Sequence, residues 1–190
     1  SYLVMLPLTA SPPNGAASRY LFRYDPPSTF TLLMPPSVVI GTTTAYLSDF
    51  AETSPAGDFL VADVSNGLVT NHSGSWEWIA RHGDPIPGLS GVQYQYPRAP
   101  VFDPHGTCYF PGTLDGITMR VEAGSTPEVL WNRWQHWSNL PAGHTALLEV
   151  VEANAAGDIL VTGSVRNASQ SELRSGLFLV REGRLLDILT

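Results

Sequence analysis

Apolar and polar residues alternate along this chain in short bursts, and each burst ends at a glycine, a proline or a cluster of small polar side chains. Alternation with period two predicts β-strands, and the breakers between them predict tight turns. Four bursts open equivalent stretches: "YLVMLPL" from Tyr2, "FLVADVS" from Phe59, "CYFPGTL" from Cys108 and "ILVTGSV" from Ile159. The last three follow turns of one form, "SPAGD" at 54–58, "DPHGT" at 103–107 and "NAAGD" at 154–158. A Ser, Asp or Asn opens each turn and can bond the backbone two residues on, while Gly in fourth place accepts the left-handed conformation that closes a hairpin.

Behind each opening strand come a second ("YLFRYD", "GLVTNH", "ITMRVE", "GLFLVR"), a short turn, and a third ("FTLLM", "WEWIA", "EVLW", "RLLDIL"). A further run leads into the next turn: "AYLSDFAET", "VQYQYPRAPVF" and "ALLEVVEA". The anchors at 2, 59, 108 and 159 are spaced by 57, 49 and 51 residues, the spacing of propeller blades. The expected fold is therefore all-β and β-propeller-like, with about four antiparallel meander units of four strands each. The units are 1–44, 45–91, 92–144 and 145–190, the first incomplete because it lacks the run and turn that precede the others. "TALLEVVEANAA" at 145–156 also suits a short helix, since Ala and Glu are good helix formers; its place in the repeat argues for a strand. A ring must pair its first and last units or leave strand edges open. The chain is accordingly expected to form part of a larger ring or assembly, by self-association or by covalent continuation through unpaired edge strands.

Composition agrees with this reading and narrows the partners. Sixteen Pro and 17 Gly in 190 residues leave little room for long helices. Seventeen acids face 10 bases, a formal charge of -7; all ten bases are Arg and no two are adjacent. A phosphate-binding surface needs clustered cations, so no nucleic-acid partner is expected. No apolar run is long enough for a membrane span. The single cysteine, Cys108, sits inside a strand pattern and reads as a buried, inert thiol.

Candidate chemistry is thin. Trp131, Trp134 and Trp137 lie in "WNRWQHW" with Arg133, Gln135 and His136 between them. Exposed indoles beside polar side chains stack on sugar rings and orient hydroxyls, so Trp131, Arg133, Trp134, His136 and Trp137 are the candidate ligand-binding residues. The alternative is that these tryptophans plug the space between units. Trp76 and Trp78 alternate on a strand and read as packing. The five histidines show no repeated pair, so neither a metal nor another cofactor is expected. Asp84 in "RHGDPIPG" and Asp103 in "DPHGTC" are the weak candidates for an acid and a base, though both also suit ordinary turns. No nucleophile elbow, P-loop or dinucleotide glycine pattern occurs. "NHS" at 71–73 and "NAS" at 167–169 match the N-glycosylation acceptor.

"IARHGDPIPGLSG" at 79–91, the turns "SPAGD" and "NAAGD", and the "GLF" of Gly176, Leu177 and Phe178 resemble uncharacterised bacterial secreted repeat proteins of β-propeller type. The full loop motif occurs in one unit, the equivalent segments reading "NRWQHWSNLPAGH" and "PPSVVIGTTT". The resemblance implies a propeller fold and an extracellular or cell-surface setting, and brings no catalytic assignment. Three functions follow as expectations: a non-enzymatic binding or scaffold module for a carbohydrate or protein ligand; a carbohydrate-active hydrolase or lyase using Asp84 and Asp103; or a structural assembly protein.

Overall fold

In the computed structural model, which describes residues 2–8, 18–95 and 97–189, 54% of the chain is strand and no helix is present among the described residues. Among the described residues, sixteen strands form four antiparallel sheets, each a meander in chain order. The first sheet holds β1 (Tyr2–Leu8), β2 (Ser18–Asp25) and β3 (Thr29–Met34). The second holds β4 (Ser37–Ile40), β5 (Thr43–Thr53), β6 (Leu60–Val64), β7 (Gly67–Thr70) and β8 (Glu77–Arg81). The third is built from β9 (Val101–Phe102), β10 (Cys108–Pro111), β11 (Thr118–Val121) and β12 (Glu128–Trp131). The fourth comprises β13 (Thr145–Ala153), β14 (Ile159–Arg166), β15 (Glu172–Arg181) and β16 (Arg184–Leu189).

Two expectations need correcting. "PPSVVI" is not a loop: Ser37–Ile40 pair with Thr43–Tyr46 as a hairpin, so this piece of the first unit is bonded into the second sheet, which has five strands rather than four. Val38 is the reason, since its side chain is buried with Leu21 and Met34 of the first sheet. "VQYQYPRAPVF" is not one long strand either. Only Val101–Phe102 join the sheet, because Pro97 and Pro100 lack the amide hydrogens that a ladder needs; Tyr96 lies outside the described residues. The ambiguous segment at 145–156 is strand β13 as far as Ala153, paired with β14 from Thr145↔Arg166 to Ala153↔Ile159 with a one-residue register shift between Val150 and Glu152.

The three repeated turns are built alike. The Gly57 amide donates to the Ser54 carbonyl (2.8 Å), Gly106 to Asp103 (3.1 Å) and Gly157 to Asn154 (3.1 Å). The first side chain of each turn accepts from the backbone: Asp103 Oδ1 from His105 and Thr107 (both 2.9 Å), Asn154 Oδ1 from Ala156 (2.9 Å) and Asp158 (3.0 Å), and Ser54 Oγ from Phe59 (3.2 Å). Gly157 has φ +83°, as the turn requires. "NASQS" at 167–171 closes in the same way, with Gln170 at φ +65° in the glycine's place.

Hydrophobic packing lies between consecutive sheets. Leu21, Met34, Val38, Ala45, Ala62, Val64 and Val69 fill the space between the first and second. Phe59, Val61, Leu68, Ile86, Tyr94, Cys108, Phe110 and Met119 fill that between second and third. Tyr109, Trp131, Trp137, Leu148, Val161 and Phe178 fill that between third and fourth. The period-two geometry of a strand makes this possible. On β6, Val61 faces one core and Ala62 and Val64 the other; on β10, Cys108 and Phe110 face one and Tyr109 the other. Middle strands are thus buried on both faces, which is why "FLVADVS" and "CYFPGTL" are so apolar. β5 packs beside β9, and β9 beside β13. The turns adjoin as well, with His105 Nε2 2.9 Å from the Ala155 carbonyl of the next sheet.

Candidate functional site

The tryptophan loop divides between core and surface. Trp131, at the end of β12, and Trp137 are 3% and 2% exposed and meet edge to face with ring centroids 6.1 Å apart. Neither indole Nε1 has a hydrogen-bond partner among the described residues. Asn139 fastens the loop onto β16, donating to the Leu185 carbonyl (2.6 Å) and accepting from the Leu185 amide (3.0 Å). These two tryptophans therefore seal the interface between the third and fourth sheets. Trp134 points outward at 63% exposure, with the Arg133 guanidinium 4.5 Å from its ring centre; Arg133 Nη1 also reaches Asp115 (3.4 Å). His136 is exposed nearby in sequence. Of the five nominated residues, Arg133 and Trp134 form one surface plate, and Trp131 and Trp137 lie in the core.

Asp84 and Asp103 do not form a pair. Asp103 is buried and fully engaged, its Oδ1 accepting two backbone amides and its Oδ2 the Tyr109 hydroxyl (3.0 Å). Its bonds serve the turn and the Tyr109 side chain beside it. Asp84 is exposed on the loop after β8. Cys108 is fully buried, and burial pushes its thiol pKa far up, with the charge of Glu52 adding to the rise. Such a thiol is inert. Among the described residues, no group of three or more His, Cys, Asp or Glu side chains could hold a metal ion, and no helix is long and apolar enough to cross a membrane.

A different cluster stands out in the fold. Asp63 lies on β6 with 6% exposure, at a cavity of ≈ 380 Å³ that Ser48, Ser65, Asn66, His82, Pro97 and Arg98 also line. Burial raises the Asp63 pKa to about 6; the charge of Arg98 and the amide of Ala99 act against the rise. Ala99 holds φ +47° although it precedes a proline. A residue in that position is normally extended, and the left-handed region costs a non-glycine residue about 1–2 kcal/mol. The strained turn brings the Ala99 amide to the Asp63 carboxylate.

Arg98 is the pivot of the arrangement. Exposed to solvent, it borders a second cavity of ≈ 340 Å³ walled by Thr113 and Gly116 of the third sheet's loops and by Glu149, Ser164 and Ser175 of the fourth sheet. One guanidinium thus stands where the second, third and fourth sheets converge, with a buried acid behind it and hydroxyl side chains around it. The cluster has a trace in the sequence: an aspartate inside the apolar run "FLVADVS" is out of pattern, and Pro97 and Pro100 bracket Arg98 and Ala99. Their meeting at one cavity, 35 residues apart along the chain, has none.

No known protein-family profile matches this chain, and no curated protein is significantly similar to it in sequence.

Proposed function

We propose that this chain is a non-enzymatic, β-propeller-like binding module, displayed outside the cell or at its surface, that takes a carbohydrate or protein ligand where its sheets converge on Arg98. The propeller reading is supported by four successive meanders, by one core between each consecutive pair of sheets, and by the adjacency of β5, β9 and β13, the strands that lead into the three repeated turns. Loops on a rigid stack of sheets are where such folds acquire binding. The extracellular setting rests on the resemblance to secreted repeat proteins. Phe30 and Leu32 on β3 and Ile188 and Leu189 on β16 are apolar and exposed on the terminal strands of the first and last sheets, which supports completion of the ring by further sequence or by a second copy.

The observation that carries the binding site is Arg98 bordering two cavities, one built on the second sheet and one on the third and fourth. A pre-formed guanidinium backed by a strained loop offers a planar, multidentate donor, and Glu149, Ser164 and Ser175 supply further polar contacts. A second reading places the ligand on Trp134, where an exposed indole lies under Arg133. Immobilised glycans and extracellular protein domains, offered to the parent and to Arg98→Gln, test the proposal. Retention by the parent, loss of at least about tenfold in affinity in the variant, and recovery of the ligand chemically unchanged are expected. Cleaved glycan would replace the binding module by an enzyme.

A further inference from the structure

The first and last sheets each show one apolar face that no core of the described residues includes. In the first sheet, Leu3 and Met5 of β1, Leu21 of β2 and Met34 of β3 pack against the second sheet, so the residues that alternate with them point the other way. Val4, Phe22 and Leu32 stand opposite one another across the three strands, and Tyr24 stands opposite Phe30. With Tyr20 they make one continuous aromatic surface. The Tyr20 and Phe22 rings stack with centroids 6.3 Å apart, and Phe30 meets Phe22 edge to face at 6.4 Å and stacks on Tyr24 at 4.7 Å. None of these side chains is charged, and Phe30 and Leu32 are 53% and 51% exposed.

The fourth sheet is built the same way round. Val161 of β14, Phe178 and Val180 of β15 and Leu185 of β16 pack against the third sheet. The alternating residues set two cross-strand rows of leucine on the opposite face, Leu160 with Leu179 and Leu186, and Leu177 with Leu189. Exposed apolar surface of this extent marks an interaction site, and the fold itself shows what covers such surface. At each of its three internal interfaces, the face that one sheet turns to its successor is sealed by the face that the successor turns back. The leucine face of the fourth sheet is of the first kind and the aromatic face of the first sheet is of the second. One chain therefore carries both halves of a contact that it already makes three times within itself.

We infer that the aromatic face of the first sheet docks on the leucine face of the fourth sheet of a second copy of this chain, and that two copies close a ring. A contact between unlike faces closes into a ring when its rotation allows. Four sheets per copy give eight in a ring of two, within the range that propellers use, whereas a ring of three exceeds it. An unrelated partner that matched one face would leave the other open. The inference rests on the propeller reading above and is independent of Arg98, since association needs no ligand.

Sedimentation of the chain at rising concentration tests it, with Leu32→Arg and Leu189→Arg each spoiling one face. Both positions are exposed, so the variants stay folded, which circular dichroism melts check. The parent is expected to reach twice the mass of the chain and to stop there. Each variant alone is expected to dimerise at least about tenfold more weakly, because docking would bury an unpaired guanidinium in apolar surface. An equimolar mixture of the two is expected to associate more tightly than either alone, since Leu32→Arg keeps a parental leucine face and Leu189→Arg a parental aromatic one. A parent that is monomeric at every concentration, a variant that dimerises like the parent, or a mixture that associates no better than its components would each overturn the docking. Species that grow past two copies would overturn the closed ring and, with it, the propeller reading.

Discussion

Replacing Asp63 by Asn keeps the shape of the side chain and removes its charge, so the substitution isolates what ionisation of a buried acid does to this fold. Asp63 titrates at about 6 in the folded chain against an ordinary value of 3.8. At about 1.4 kcal/mol per pH unit, the gap corresponds to about 3 kcal/mol. The direction follows from linkage: the folded chain holds this proton more tightly than the unfolded chain, so the contribution to stability is full below the ordinary value, declines as pH rises through 6, and is gone above it. The amide in the variant resembles the protonated acid at every pH. The stability of Asp63→Asn relative to the parent is therefore expected to rise by about 2.5 kcal/mol between about pH 4 and about pH 8, or about 5–10 °C in melting temperature for a chain of this length. Thermal melts followed by circular dichroism at the two pH values measure it. A difference that does not change with pH would refute the argument, and a parent that gains on the variant as pH rises would mean that Arg98 and the Ala99 amide outweigh burial.

Three further outcomes are expected. Trp137→Ala should cost about 3–5 kcal/mol in denaturant unfolding, as for any large aromatic taken from a core, whereas Trp134→Ala should stay within about 0.5 kcal/mol; similar losses would contradict the division of the loop between core and surface. Gly157→Val should destabilise by about 1–3 kcal/mol through backbone strain alone, since the space where its Cβ would stand is open, and Gln170→Gly should gain up to about 1 kcal/mol by relieving the same conformation. Hydrogen bonds from Arg181 to both carboxylate oxygens (2.7 and 2.6 Å) hold the Asp158 pKa below the ordinary range. Its contribution is present above that range and lost as pH falls, opposite to Asp63, so Arg181→Met should make unfolding less sensitive to acid, and an unchanged acid profile would count against the pairing.

Much of the fold was legible because it is written in local chemistry. Ser54, Asp103 and Asn154 each open a turn whose glycine three residues later needs no distant partner, and the strands after them carry their own alternation. What escaped was decided by contacts across the chain. Val38 is drawn into a strand by Leu21 and Met34, and residues 92–100 abandon strand geometry because two prolines interrupt them. The tryptophans of "WNRWQHW" recur every third residue in a segment that leaves β12 at Trp131 and is neither helix nor strand beyond it, so no periodicity could say which indole turns inward; Asn139, bonded to β16, holds the loop in place. Asp63 and Arg98 were visible as an acid in an apolar run and a base between prolines, but only the packing of the second sheet against the loop after it brings them to one cavity.

The Arg98 reading and the Trp134 reading part company in one measurement: the affinity of Arg98→Gln and of Trp134→Ala, side by side, for whichever ligand the parent retains. Loss of at least about tenfold in Arg98→Gln with parental affinity in Trp134→Ala is the result expected if the ligand sits where the sheets converge. Parental affinity in Arg98→Gln, with binding lost in Trp134→Ala, would move the site to the loop surface and contradict it.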